Sequence, residues 1–249
     1  MELMNTPFVK TIMNNRSGFT LVEMLIAMTL GSLVMTAVYS SYLSQQKTYI
    51  VQNQMAGMRQ NIRAALYYME RELRMAGCDP TGNAGAGIEV AQANTIQFTM
   101  DITGGESDGK DNDSDGTVDE AAEDIYPDGK TTGTDEDITY AINDNNGDGD
   151  TDLERTDNGV TRLIAENIDA LDFVYLDKNS AVLPFPIADL SDIRAVQVTV
   201  VARTEQMDND YTNSVEYKNK QGTTILTAQN DHFRRIMMTT HIKCRNLGL

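Results

Sequence analysis

Between Phe19 and Lys47 the chain carries one charge, Glu23, and the predominantly apolar run from Phe19 to Leu43 contains no proline. About 20 apolar residues in a helix span the hydrocarbon core of a membrane, so this run is long enough to do so. What precedes it is unusual. A polar leader with Lys10 and Arg16 ends in Ser17-Gly18, and only then does the apolar run begin. A secretory signal peptide carries its small-residue cleavage site after the apolar region; here the small residue stands in front. Glu23 lies five positions beyond Gly18. A carboxylate inside a membrane helix costs on the order of 2.5–3.5 kcal/mol and is expected to have a partner.

The helical pattern does not stop at the end of the apolar run. Val51, Met55, Met58, Ile62, Leu66, Met69, Leu73 and Ala76 recur at spacings of three and four, which marks one helix face. Arg59, Arg63, Glu70, Arg71, Glu72 and Arg74 occupy the remaining surface. Gly77, followed by Cys78-Asp79-Pro80, is a stop. The expected organisation is a leader at 1–18, a membrane-length helix at 19–43, an amphipathic stem at 44–77 and a head at 78–249. Alternating apolar residues predict strands at 94–100, 137–142, 161–165, 193–202 and 233–243. Residues 168–177 read as a helical turn or an extended lead into a strand at 173–176, and the polar stretch 208–222 as a loop with a hairpin. A long helix followed by strands gives α+β: the stem packed on an antiparallel sheet.

Charge is concentrated in one place. The chain has 20 Lys and Arg against 37 Asp and Glu, a net charge of −17. Residues 101–157 hold 20 acidic residues against Lys110, Lys130 and Arg155, so this insertion (101–158) accounts for the whole excess. Nucleic-acid binding needs clustered cations, so the balance argues against it and for binding cations. Two segments follow D-x-[DN]-x-D-G-x-x-D, at 111–120 and 144–154. Calcium takes six to eight oxygen ligands, and a glycine at loop position six permits the tight turn that gathers them. The first ligand set would be Asp111, Asp113, Asp115, the Thr117 carbonyl, and Asp119 or Glu120. The second would be Asp144, Asn146, Asp148, the Asp150 carbonyl, and Asp152 or Glu154. The closing glutamate of an EF-hand is missing at position twelve, where Ala122 and Arg155 stand. Magnesium fits less well, because it keeps its water. A solvated loop that binds nothing is the plain alternative.

Catalysis finds little support. The chain has two histidines, His232 and His241, no G-x-S-x-G and no zinc ligand set. The glycine-rich stretch 82–87 lacks the Lys-Ser/Thr of a phosphate loop. No enzyme and no small-molecule substrate are expected.

The order Gly18, Phe19, Thr20, Leu21, Val22, Glu23 closely resembles the prepilin signature of type IV pilins and type II secretion pseudopilins. The resemblance implies cleavage by a prepilin peptidase between Gly18 and Phe19, methylation of the new amino terminus, and pairing of Glu23 with the Phe19 amine of a neighbouring subunit, or within its own chain. Arg74–Gly82, Ala165–Asp177, Ile193–Val200 and Arg245–Leu249 look like PilW-type minor pilins and the related J-type minor pseudopilins. This implies a subunit held in the bacterial inner membrane with its head in the periplasm, then in a pilus at the cell surface. Its partners would be other pilins and minor pilins and pilus assembly proteins, and its role to start assembly near the tip. A minor pseudopilin and a calcium-dependent tip adhesin are the alternatives. Cys78 departs from the family pattern, where an aromatic residue is common. The implied topology places Cys78 and Cys244 outside the cytoplasm, where disulfides persist. A Cys78–Cys244 bridge is expected, worth roughly 4–5 kcal/mol in the chain-entropy model; two free buried thiols or bridges to other subunits are the other options.

Overall fold

The computed structural model describes residues 18–145, 147 and 149–248. Most of the leader, residues 1–17, lies outside them, as do Asn146, Asp148 and Leu249. The chain divides into two compact units, one ending at Ile50 and the other running from Val51 to the C-terminus.

Helix α1 runs from Leu21 to Leu73, 53 residues without interruption. Every described residue up to Ile50 is exposed. That part of the helix is long and apolar enough to cross a membrane, and an apolar surface this extensive needs cover from lipid or protein.

From Met58 onward α1 is half buried. Met58, Ile62, Leu66, Met69, Leu73 and Ala76 enter the main core as the three-and-four spacing predicts; Ala65 joins them, and Met55 packs at the margin. The helix ends in a turn in which Ala76 N–H donates to the Glu72 carbonyl (3.1 Å) and Cys78 N–H to that of Met75 (2.9 Å). Gly77 has φ +76°, a left-handed conformation that glycine adopts without strain.

Among the described residues the head carries ten strands: β1 (Ile88–Ala91), β2 (Ile96–Thr99), β3 (Asp137–Asn143), β4 (Asp152–Asp157), β5 (Val160–Ala165), β6 (Ile168–Leu176), β7 (Ala195–Arg203), β8 (Tyr217–Lys218), β9 (Thr224–Leu226) and β10 (Arg235–Lys243). They form an antiparallel meander in the order β1-β2-β3-β4-β5, a second antiparallel sheet in the order β10-β7-β6, and the hairpin β8-β9. The α+β architecture is as the sequence predicts. The core joins the buried face of α1 to Ile96, Phe98, Ile138, Tyr140 and Leu153 of the meander, and to Ile168, Phe173, Tyr175, Val196, Val198, Val200 and Ile242 of the second sheet. In the β8-β9 turn Asn219 donates to the buried Asp172 of β6 (3.0 Å), which ties the hairpin to that sheet.

Of the two readings of residues 168–177 the extended one holds, with strand from Ile168 to Leu176. Other expectations are corrected. The hairpin expected within 208–222 lies further on, where Tyr217 pairs with Leu226. Strand β4 occupies residues assigned to the second acidic loop, and Asn158-Gly159, with φ +46° and +81°, turns it into β5. Positive φ at both central residues is the two-residue hairpin turn whose twist matches the strands.

The expected disulfide is absent: Cys78 and Cys244 are both free thiols. They face different surroundings. Cys244 is buried in the core, where burial pushes its thiol up to about 12. Cys78 is only half-buried, and its thiol is raised by burial and then by the carboxylates of Asp101 and Asp79.

Candidate functional site

Two regions can carry function, the start of α1 and the acidic insertion. A buried ion network ties the stem part of α1 to the head.

At the start of α1, Gly18, Phe19 and Thr20 are exposed and precede the first helical residue. Thr20 N–H (2.8 Å) and Thr20 Oγ1 (2.9 Å) both donate to Glu23 Oε2, and Glu23 N–H donates to Thr20 Oγ1 (3.2 Å). This is a capping box, in which Thr and Glu three residues apart satisfy each other's backbone N–H groups. The signal T-x-x-E was present in the sequence. In this state Glu23 is held within its own chain, by Thr20.

In the stem, Glu72 is buried on the same face as Leu73 and Met69. Arg155 Nε donates to both Glu72 oxygens (3.2 and 3.1 Å), and Tyr140 Oη donates to Glu72 Oε2 (2.6 Å). The same guanidinium pairs with Asp135 and, at 3.4 Å, with Asp157. Burial, and then the Glu72 carboxylate, holds the Tyr140 hydroxyl protonated far above its ordinary range. Arg155, which fills position twelve of the second acidic motif, is therefore a core residue that binds β4 to α1.

Strands β3 and β4 lie inside the acidic insertion (101–158), whose first and longer loop, 101–136, leaves the meander after β2 and returns at β3. Its roots are fixed by buried carboxylates that accept backbone N–H groups. Asp101 accepts from Thr81 Oγ1 (2.9 Å), Asp128 N–H (3.1 Å) and Gly129 N–H (3.2 Å). Glu136 accepts from Ile102 and Thr103 N–H (2.7 Å each) and from Gly133 N–H (2.6 Å). Between them, a Cβ on Gly105 would lie 2.5 Å from the Glu123 carbonyl, so only glycine lets the short helices 105–107 and 121–125 pack this closely.

Of the first expected ligand set, Asp111, Asp113 and Asp115 come together, with carboxylate oxygens within 4.8 Å of one another. Asp111 accepts Asp115 N–H (3.1 Å) and Gly116 N–H (3.0 Å), and Gly116 turns the chain at φ +100°. Thr117 N–H donates to Asp115 (2.8 Å). Asp119 is drawn away to accept Gly109 N–H (2.7 Å). Glu120 instead joins Asp113 and Glu123, again within 4.8 Å. Its carboxyl is pushed above the usual range by burial and then by Asp115, Glu123 and Asp113. Glu123 was not anticipated: it stands one position beyond the place where an EF-hand closes.

The second expected set is not gathered among the described residues. Asn146 and Asp148 lie outside them. Asp144 accepts Gly147 N–H (2.9 Å). Asp150 pairs with Arg203 (2.7 Å), which ties this loop to β7. Asp152 and Glu154 sit on β4, where Asp152 accepts Asn167 N–H (2.9 Å) and Glu154 accepts from Asn143 (3.0 Å) and Asn145 (2.6 Å). The segment 143–152 is a β3–β4 hairpin connection with Asn143 paired to Asp152.

A third charged group closes the far end of the second sheet. Arg235 makes a two-pronged contact with Asp231, each prong at 2.6 Å, and also pairs with Asp169. Those Arg235 hydrogen bonds hold the Asp231 carboxyl below its ordinary 3.8. A depressed carboxylate stabilises the fold fully above its unfolded value and loses that contribution as pH falls through the lower folded value. The melting-temperature gap between the wild type and Asp231→Asn is expected to be full near neutral pH and to close as pH drops below 3.8. A thermal melt series across acid pH measures it; a gap that persists unchanged in acid would show that Asp231 acts by packing alone.

Comparison with known proteins bears on both ends of the chain. Residues 13–39 match the prokaryotic N-terminal methylation motif. Residues 137–246, from β3 to the end of the second sheet, match the family described as Type IV Pilus-assembly protein W. No curated protein matches the chain by sequence. A type IV-like pilin from Thermus thermophilus is similar in structure at a TM-score of 0.43 and 14% identity, over 76% of this chain and 98% of that one. A methylation motif thus lies on the membrane-length helix, and a separate family match covers β3 to β10 of the head.

Proposed function

We propose that this protein is a minor pilin that helps to start assembly of a type IV pilus at or near its tip, with calcium holding the acidic insertion of its head. The observation that carries the reading is the presence on one chain of the methylation motif and the PilW match. The fully exposed apolar helix before Ile50 supports it, since lipid covers such a surface before assembly and neighbouring pilin helices cover it afterwards. A prepilin peptidase removes residues 1–18 at the inner membrane, the head stands in the periplasm, and the protein moves with the filament to the cell surface. Cleavage frees the Phe19 amine beside the capping box. Glu23 then exchanges Thr20 for the Phe19 amine of an adjacent subunit.

The test is Glu23→Ala in the native cell, with a C-terminal tag and crosslinking. Membrane levels are expected to be unchanged. A charge-assisted contact is worth about 1.5–3 kcal/mol, so incorporation into filaments should fall by roughly tenfold or more. Normal incorporation of the variant would remove the assembly role of Glu23. The proteins crosslinked to the wild type decide the system: pilus subunits support the proposal, and secretion pseudopilins would overturn it in favour of a secretion pseudopilus.

A further inference from the structure

Glu123 is fully buried on the short helix 121–125. Its Oε1 accepts N–H groups from Asn112 and Asp113. Its Oε2 is buried and accepts nothing, although it belongs to a carboxylate that meets those of Asp113 and Glu120 within 4.8 Å. Glu120 Oε2 is buried without a partner in the same way. Asp113 also meets Asp111 and Asp115, so it is common to both groups of three. The two lysines of the segment are engaged elsewhere, Lys110 with Asp108 (2.8 Å) and Lys130 with Asp128 (2.7 Å). A buried carboxylate oxygen with no hydrogen-bond partner is unfavourable unless a cation or a donor reaches it.

We propose that Asp111, Asp113, Asp115, Glu120 and Glu123 form a single calcium site, closed by Glu123, and that the 144–154 segment is not a second one. This rests on the calcium reading above and replaces its two loops with one. The donors are all oxygen, which suits calcium and not zinc. The turn at Gly116 and the loop on either side leave room for calcium's irregular coordination; magnesium demands a strict octahedron and keeps several waters. The closing ligand is at position thirteen of the loop because the tight helix beginning at Ala121 carries Glu123 inward, while Ala122 stands at position twelve. In the other segment the candidate closing groups lie on β4 and accept from neighbours there, Asp152 Oδ1 from Asn167 N–H and Glu154 Oε2 from Asn143 and Asn145, and among the described residues neither carboxylate belongs to a gathered group of three.

Equilibrium dialysis of the full chain in detergent against radiolabelled calcium measures stoichiometry and affinity together. One calcium per chain is expected. Glu123→Gln should weaken it by at least the roughly 10–100-fold seen when outer-shell groups of metal sites are changed, and Asp144→Asn should leave it unaltered. Asp115 is exposed, so Asp115→Asn gives the same reading if the buried substitution does not fold. Calcium that is lost with Asp144→Asn but retained by Glu123→Gln and Asp115→Asn, or two ions per chain, would overturn the single site while leaving calcium binding intact. No calcium bound by the wild type would overturn both.

Discussion

Replacing Arg155 with methionine is expected to destabilise the head by about 3–5 kcal/mol, the usual consequence of removing one partner from a buried ion pair. Methionine fills much of the arginine's volume, so the loss is electrostatic. Glu72 would remain buried on the stem face with only the Tyr140 hydroxyl as donor, and Asp157, itself buried, would lose its cation. For a domain of this size 1 kcal/mol shifts the melting temperature by roughly 2–4 °C, so the drop should be roughly 6–20 °C. Adding Glu72→Gln to Arg155→Met removes the stranded charge and should recover part of that loss. A thermal melt of the three proteins checks both statements. A shift of only a degree or two for Arg155→Met would show that the network does not hold β4 to the helix.

Ile62→Ala is the second large effect. Ile62 is fully buried where the stem meets both sheets. Truncating such a residue costs about 2–5 kcal/mol, depending on how far the surroundings collapse into the cavity. Ile62 and Glu72 are ten residues apart, about 15 Å along a helix, far enough for the two substitutions to act additively. Denaturant titration of Ile62→Ala, Arg155→Met and the double variant tests this. The sum, about 5–10 kcal/mol, is a large part of the stability of an ordinary domain, about 5–15 kcal/mol, so the double variant is expected to be far less stable than either single variant.

The parts of this molecule governed by periodicity were legible in the sequence. The stem face was readable because Met58, Ile62, Leu66, Met69 and Leu73 obey the helical spacing, and β7 because Val196, Val198 and Val200 alternate. Strand β4 was not. Its residues, Asp-Leu-Glu-Arg-Thr-Asp, carry four charges in six positions and sit inside an apparent metal motif. What makes it a strand is tertiary: each acid finds its own donor, in Asn167, in Asn143 and Asn145, or in Arg155 and the Asp135 N–H. The Asn158-Gly159 turn was the local signal that could have found it. Glu123 was missed because a ligand template fixes positions in the chain, whereas the turn at Ala121 decides which carboxylate faces inward. The cysteines were paired on compartment and loop length, and neither consideration reports which way a thiol points.

Thr99, the last residue of β2, lies directly opposite Asp137, the first of β3. The acidic insertion therefore departs from and returns to one point on the sheet, as a side road rejoins at the same junction. Its ends are tied in by Met100, Asp101, Asp135 and Glu136, but the part between them can change in length at little cost, because loop-closure entropy changes only slowly with length. What the head presents to its surroundings can therefore vary in the middle of this segment, while its two anchored ends keep the scaffold as it is.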